Sequence, residues 1–286
     1  MGTRVPRRGN LLRLCNRLGG ARVRVRVATW NVWWRFGPWQ RRQDLIAAEL
    51  ADLAADIVCL QEAFVDAGGR DQPAELADHL GLGHHRYTAG AEQAGVAFGN
   101  AVLSRWPITR QQVVELPADP DGDEHRRALI VGIAAPSAEL VVVTTHLNFR
   151  WVHSATRQAQ VRTICEALTD WQPFPRPPIL TGDLNAGPDC EEMRMLTCKV
   201  APPVRTVGFF DAWEIAGEGA GHTWSRGNSH VGATSVEPDR RIDYVLVGHP
   251  MGSNRVIVEE VRRFGMTATD DLHPSDHFGV VAVLDA

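Results

Sequence analysis

Pro177-Pro178-Ile179-Leu180-Thr181-Gly182-Asp183-Leu184-Asn185 is the stretch whose reading decides the fold. The two prolines punctuate the end of a helical pattern. Ile179–Thr181 then reads as a short buried strand, and the chain passes at once to Gly182 and a polar pair. A carboxylate at the end of a hydrophobic strand is costly unless it is paired or holds a metal ion. The same design recurs along the chain. Thr29-Trp30-Asn31 ends the alternating strand Arg22–Trp30, Gln61-Glu62 follows the apolar Asp56–Leu60, and Thr145-His146-Leu147 closes Leu140–His146. Arg241-Ile242-Asp243-Tyr244 lies in the strand-like Asp239–Val247, and Ser275-Asp276-His277 precedes the last strand, Gly279–Leu284. If strands of one sheet end together, Asn31, Glu62, His146, Asp183, Asn185, Asp243, Asp276 and His277 come to one edge.

The segments between them are strands with a few helices. Ala94–Ser104, Gln112–Leu116, Ala128–Ala134 and Val256–Val261 read as strands. Gln43–Leu53 has helical spacing, and so does Ser154–Trp171, with Ser154 in the N-cap position. The mixture predicts an α+β protein built from sheet layers, without an internal sequence repeat or a linker. Residues 21–286 are expected to form one domain. Residues 1–20 lack apolar periodicity and are expected to be a flexible basic arm.

Composition bounds the function. The chain has 286 residues, 44% hydrophobic and 22% charged, enough to bury roughly three quarters of its unfolded surface. No apolar run approaches the ~20 residues of a membrane span, and the Arg-rich start has no apolar stretch like a signal peptide, so the expected compartment is the cytoplasm. Five cysteines without a C-x-x-C pair read as reduced thiols rather than a disulfide framework or a zinc site. Net charge is −4, yet the first 26 residues carry eight arginines and no acid, leaving −12 on the rest. So acidic a body is a poor sequence-independent nucleic-acid binder. It fits a nest of carboxylates around a cation, and oxygen-rich, sulfur-free ligation selects Mg²⁺ or Mn²⁺. One lysine among 30 basic residues is the mark of a GC-rich coding sequence and points to a bacterial source.

In this order, the six polar clusters resemble those of the endonuclease/exonuclease/phosphatase superfamily of metal-dependent phosphoesterases, which includes pancreatic-type deoxyribonucleases and neutral sphingomyelinases. The resemblance runs from about Val25 to the C-terminus. Gly182-Asp183-Leu184-Asn185, Arg241–Leu246 and Ser275-Asp276-His277 together carry it. It implies a four-layer α/β/β/α sandwich with two packed mixed β-sheets and the site at one end of the sheets. It implies that Glu62 holds the cation, with Asn31 as ligand or support and Asp276 on the metal's other side. Asp183 would orient or deprotonate the attacking water, and Asn185 would steady the phosphoryl oxygens. His277 and Asp243 resemble a His–Asp pair, and His146 corresponds to the second histidine of the deoxyribonuclease branch. That branch has a further glutamate that orients its first histidine, where this chain has Asn100. Arg157 and Gln160 match an R-x-x-Q pattern that supports the His146 loop, and Asn100 and Arg157 are candidate phosphate contacts.

Thr223, Trp224 and Arg241 are candidates for the pocket border, and Trp30, Trp33, Trp34, Trp39 and Trp151 for core or rim. His84-His85 reads as surface. The expected activity is hydrolysis of a small or lipid-derived phosphate ester. The alternative is a DNA or RNA nuclease whose basic arm contacts nucleic acid. Loops choose the substrate in this superfamily, and Tyr87–Gln93, Asn148–His153 and Gly217–Pro238 are the candidates.

Overall fold

The alternation of Arg24–Asn31 (β1) lasts only as far as Arg26; from Val27 onward both faces of the strand are buried. A strand buried on both faces must lie inside a sheet that is itself covered on both sides. In the computed structural model, which describes residues 23–93, 95–118, 125–232, 235–250 and 254–286, that is where β1 lies. The arginine arm and Cys15 lie outside the described residues; Cys59, Cys165, Cys190 and Cys198 are free thiols.

One sheet joins β1 to Ile57–Asp66 (β2), His84–Gln93 (β3), Val96–Ser104 (β4), Ile257–Phe264 (β11) and Gly279–Asp285 (β12), in the order β11-β12-β1-β2-β4-β3. The other joins Ile108–Glu115 (β5), Arg127–Ala134 (β6), Glu139–His146 (β7), Ile179–Asp183 (β8), Phe209–Asp211 (β9) and Asp243–Gly248 (β10), in the order β5-β6-β7-β8-β10-β9. The sequence has no repeat, but the sheets repeat one plan. Each has a parallel central pair, β1–β2 and β7–β8, among antiparallel neighbours. A helix connects each pair: Trp39–Leu53 (α1) between β1 and β2, Ser154–Thr169 (α3) between β7 and β8. The other helices are Gln72–Leu80 (α2), Glu191–Leu196 (α4) and Ala212–Ala216 (α5).

Three apolar clusters define four layers. Val27, Cys59 and Val102 meet Leu129, Val131, Val142 and Val245 between the sheets. Ile46, Leu50 and Leu53 of α1 and Leu76 of α2 cover Ala28, Val58 and Leu60. Val161, Ile164 and Leu168 of α3 cover Val141, Val143 and Leu180. The architecture is thus an α+β sandwich of two mixed sheets with helices outside. Gln61 ties the sheets together below their polar end, its amide bonding Thr29 of its own sheet (3.1 Å) and Thr144 of the other (2.9 Å).

Several local expectations need correction. Tyr87–Gln93 is not a loop but part of edge strand β3, whose polar side chains hide its pairing with β4. Ser154 is the first residue of α3 rather than its cap: His153 occupies that position, and the Ser154 hydroxyl bonds Glu192 at 2.7 Å. Residues 239–242 precede β10, because Arg240 pairs with Trp224 in an isolated bridge. Helix α2 carries its signals openly, with Asp71 capping the Ala74 amide (2.9 Å), Pro73 in the first turn and left-handed Gly81 at its end, but its apolar stripe is short.

Gly182 is required by close approach. It has φ +142°, and a Cβ there would sit 1.9 Å from the Thr145 carbonyl oxygen of the neighbouring parallel strand. Its absence lets β7 and β8 draw together so that His146 and Asp183 stand side by side in the register. Gly182→Ala should therefore destabilise the protein by about 1–3 kcal/mol and cut activity through misplacement of Asp183, read as a lower denaturation midpoint. An unchanged midpoint would show that the approach is not tight.

Candidate active site

Asn31, His146 and Asp183 end β1, β7 and β8, whereas Glu62 does not end its strand but sits at a bulge inside β2, one residue past the last β1–β2 pair, Asn31–Gln61. The antiparallel neighbours start at the same edge, so Asp243 opens β10 opposite Asp183, and His277 stands just before β12. Polar groups outside the carboxyl ends of parallel strands make a site in many sheet proteins. Here both sheets contribute, and the side chains meet at the floor of a cleft of about 790 Å³ lined by Asn31, Glu62, His146, Asp183, Asn185, Asp276 and His277 among others.

Asn31 is the hub. Its Nδ2 donates to Glu62 Oε1 (3.2 Å) and Asp183 Oδ2 (3.1 Å), and its Oδ1 accepts the Trp33 amide (3.0 Å). Glu62 sits at a β-bulge with φ +55°, a left-handed conformation that a non-glycine residue adopts only under constraint. Its Oε2 is buried with no hydrogen-bond partner. Burial, with Asp276 nearby, pushes the Glu62 carboxyl up to about 7, and burial pushes Asp276 up to about 6. An orphaned carboxylate oxygen beside a second carboxyl and an amide is a fit for a hard divalent cation. Glu62 and Asp276 are the residues that would hold it; Asn31 turns its Nδ2 toward Glu62 and spends its Oδ1 on the Trp33 amide, so it orients the ligand rather than being one. Asp183, Asp243 and His277 also bring one ligand atom each within 4.8 Å of one another. In that trio His277 Nδ1 is already bonded to Asp243 Oδ2 at 2.9 Å, which commits both to each other.

Burial disfavours charge on His277, but Asp243, Asp183 and Asp276 override it and hold its pKa well above the usual imidazole value. Its Nε2 lies 3.7 Å from Asp183 Oδ2. Burial likewise pulls Asp183 upward, but His146, His277 and the Asn31 amide prevail, and it stays below the usual carboxylate range. His146 is the contrasting imidazole: burial and Arg126 push it down to about 3, so it is neutral, with Nε2 3.3 Å from Asp183 Oδ2. Its Nδ1 lies 3.8 Å from Glu62 Oε1. Asn185, with φ +50°, donates its backbone amide to Asp183 Oδ1 (3.0 Å) and its side-chain amide to Leu147 O (3.1 Å).

Six residues singled out from the sequence as site candidates lie away from the cleft lining: Asp243, Asn100, Arg157, Gln160, Arg241, and Thr223, whose buried hydroxyl accepts the Ile242 (3.1 Å) and Asp243 (3.2 Å) amides. Asp243 is behind His277. Asn100 turns its amide to Arg127 O (2.8 Å). Arg157 is buried under the loop after β7, paired with Glu192 and donating to the carbonyls of Asn148 (3.3 Å) and Arg150 (2.6 Å). Gln160 holds the same loop through the Asn148 amide (3.0 Å). Arg241 is likewise buried on Asp211 (2.6 Å), while its neighbour Arg240 reaches the cleft and stacks on Trp151, 4.2 Å from the ring centroid. Sequence reading missed Arg126, Phe98 and Arg240 on the walls. Arg240 adjoins a motif that was read; Arg126 and Phe98 carry no such signal. Trp33, Trp151 and Trp224 line the cleft, whereas Trp30 is core.

A two-sheet sandwich with this polar floor at one end is the architecture of hydrolases acting on phosphoester bonds. The chain belongs to the endonuclease/exonuclease/phosphatase family, whose family model matches residues 28–277. It is 30% identical over 178 residues to the uncharacterized protein YbhP of Escherichia coli (strain K12), an alignment covering 56% of this chain and 66% of that protein's own length. An endonuclease/exonuclease/phosphatase from Beutenbergia cavernae superposes with TM-score 0.70 and 28% identity over 92% of this chain and 71% of its own. TDP2 of D. rerio, complexed with a single-strand DNA product, superposes with TM-score 0.74 and 20% identity over 92% of this chain and 99% of its own. Members of this family typically use divalent metals, and among the described residues no helix is long and apolar enough to cross a membrane.

Because the folded state keeps the Glu62 proton that the unfolded chain gives up, this group's contribution to stability is full at acid pH and falls as pH climbs from about 4.5 to about 7. In EDTA the thermal midpoint should drop more between about pH 5 and about pH 7.5 for the parent than for Glu62→Gln. Mg²⁺ at about 100 times its Kd should restore the parent by about 2.7 kcal/mol at the higher pH and leave Glu62→Gln unmoved. Equal stabilisation of both proteins would rule out Glu62 as a ligand.

Proposed function

We propose that this chain is a divalent-metal-dependent phosphoesterase that hydrolyses a small or lipid-derived phosphate ester by in-line attack of water directed by Asp183. The observation that carries the reading is that His277, backed by Asp243, and buried Asp183 lie on the same cleft floor as Glu62 with its unpartnered oxygen. Mg²⁺ or Mn²⁺, held by Glu62 and Asp276 with Asn31 orienting Glu62, would supply Lewis acidity toward a phosphoryl oxygen. Asp183 accepts the proton that the water gives up as its oxygen bonds to phosphorus and the opposite P–O ester bond breaks, and the departing oxygen takes its proton from solvent water. The cationic His277 donates from Nε2 to the charge that develops on the phosphoryl oxygens, and Asp243 holds its tautomer from behind. Neutral His146 and Asn185 border the same volume as hydrogen-bonding groups.

The cleft rim supports an apolar organic half of the ester. Phe36, Phe149, Trp151 and Val152 line it and are 44%, 52%, 51% and 86% exposed. A nuclease is the second reading. Arg126, Arg150 and Arg240 share the walls with Trp33, Trp151 and Trp224, a composition suited to a single strand, and the D. rerio TDP2 crystal contains single-strand DNA product.

Asp183→Asn and His277→Ala should each lower kcat at least ~100-fold, about the loss of one charge-stabilising group, and near-parent turnover in either would remove it from the mechanism. EDTA should abolish hydrolysis and Mg²⁺ or Mn²⁺ restore it. A panel of bis-p-nitrophenyl phosphate, sphingomyelin, inositol phosphates, single-stranded DNA and RNA separates the two readings. The small-substrate reading expects the first three to turn over fastest and removal of residues 1–20 to change nothing. Fastest cleavage of DNA or RNA, lost on that truncation, selects the nuclease.

A further inference from the structure

Arg42 lies on α1 and is completely buried, yet among the described residues no carboxylate comes within ion-pair distance of it. Its guanidinium is spent on backbone carbonyls. Nη1 donates to Val32 O (2.9 Å) and Pro274 O (2.8 Å), and Nη2 to Trp33 O (2.8 Å), Trp34 O (3.0 Å) and Phe36 O (3.0 Å). The group also sits 4.8 Å from the centroid of the Trp33 ring. Burying a cation only to fill space is costly, and an apolar side chain of the same size would pack there without that cost. The rigid fork of an arginine can, however, hold several oxygens at fixed angles, which an ammonium cannot.

The carbonyls it gathers belong to two segments far apart in sequence. One is the turn that follows Asn31, strained at Trp33 (φ +57°) and Trp34 (φ +35°). The other is the segment that delivers Asp276 and His277. Each leads to the site by a short chain of bonds. On the first side, a fixed Trp33 presents its amide to Asn31 Oδ1, which turns Asn31 Nδ2 toward Glu62 and Asp183. On the second, a fixed Pro274 sets Ser275, whose hydroxyl donates to Asn31 O (2.6 Å) and accepts the His277 amide (3.2 Å).

We infer that Arg42 is a positioning residue: by clamping the 32–36 turn to Pro274 it sets the orientation of the Asn31 amide and the placement of the Asp276–His277 segment. The inference rests on the proposed reaction for its kinetic consequence and on geometry alone for its structural one. A misplacement of about 1 Å at such a site costs about 100-fold in rate, and loss of a residue supporting metal ligands costs about 10- to 100-fold in metal affinity.

Arg42→Met and the milder Arg42→Lys test it, with fold checked by circular dichroism and thermal midpoint. Per folded molecule, kcat should fall about 100-fold in Arg42→Met with KM little changed, and Mn²⁺ affinity about 10-fold or more. Arg42→Lys should recover only part. The Asn31 side-chain amide resonances in a ¹⁵N spectrum, recorded without metal or substrate, should shift in both variants. A purely structural Arg42 would lower the midpoint and leave kcat, Mn²⁺ affinity and those resonances at parent values, which overturns the inference. If the parent hydrolyses no phosphoester, the proposed function fails, and the Asn31 resonances still decide on Arg42.

Discussion

Asp183 is a carboxylate held almost out of water, and the site is arranged around keeping it ionised. Asn31 donates to it from the other sheet, His146 faces it from the neighbouring strand, His277 approaches from the segment before β12, and the Asn185 amide caps its second oxygen. Remove these and burial would protonate it. The two imidazoles near it are driven to opposite states by their other neighbours. Asp243 and Asp276 keep His277 charged, while desolvation and Arg126 keep His146 neutral. One anion, one cation and one neutral ring within a few ångströms give the cleft distinct hydrogen-bonding roles without any side chain changing type.

Such a cluster can exist only because the scaffold forces it. Polar groups of this kind gain nothing from folding by themselves, and Glu62, Asn185, Trp33 and Trp34 occupy backbone conformations that isolated residues avoid. The cost is met by the apolar layers beneath, where β8 is buried along its whole length and β1 from Val27 on. The buried Gln61–Thr29–Thr144 bonds fix how the two sheets stack, and Gly182 fixes how closely β7 and β8 approach. Small errors in either would move half the site relative to the other half.

The strand-end clusters were legible because a hydrophobic run that stops on Asp, Glu or His has few explanations. Asn31, Glu62, His146, Asp183, Asn185, Asp276 and His277 were read that way and line one cleft. Strand β3 was not legible, since His84–Gln93 is polar and its pairing comes from β4 rather than from its own pattern. Arg157 was singled out only through its R-x-x-Q resemblance, and Arg42 looks like an ordinary helix-surface arginine in sequence. Their burial depends on which carbonyls the tertiary structure brings beneath them.

By itself, then, the order of residues determined α+β sheet layers and the identity of most polar groups at the strand ends, because hydrophobic periodicity and strand-end polarity are local properties; the two-sheet sandwich and the kinship to phosphoester hydrolases followed from the resemblance of those clusters to a known superfamily. Tertiary structure alone decided which imidazole is charged, which arginine faces the cleft and which is spent on backbone, and that Asn31 bridges two carboxylates. Those are matters of ångström distances and lost water between segments up to hundreds of residues apart, and no local pattern encodes them.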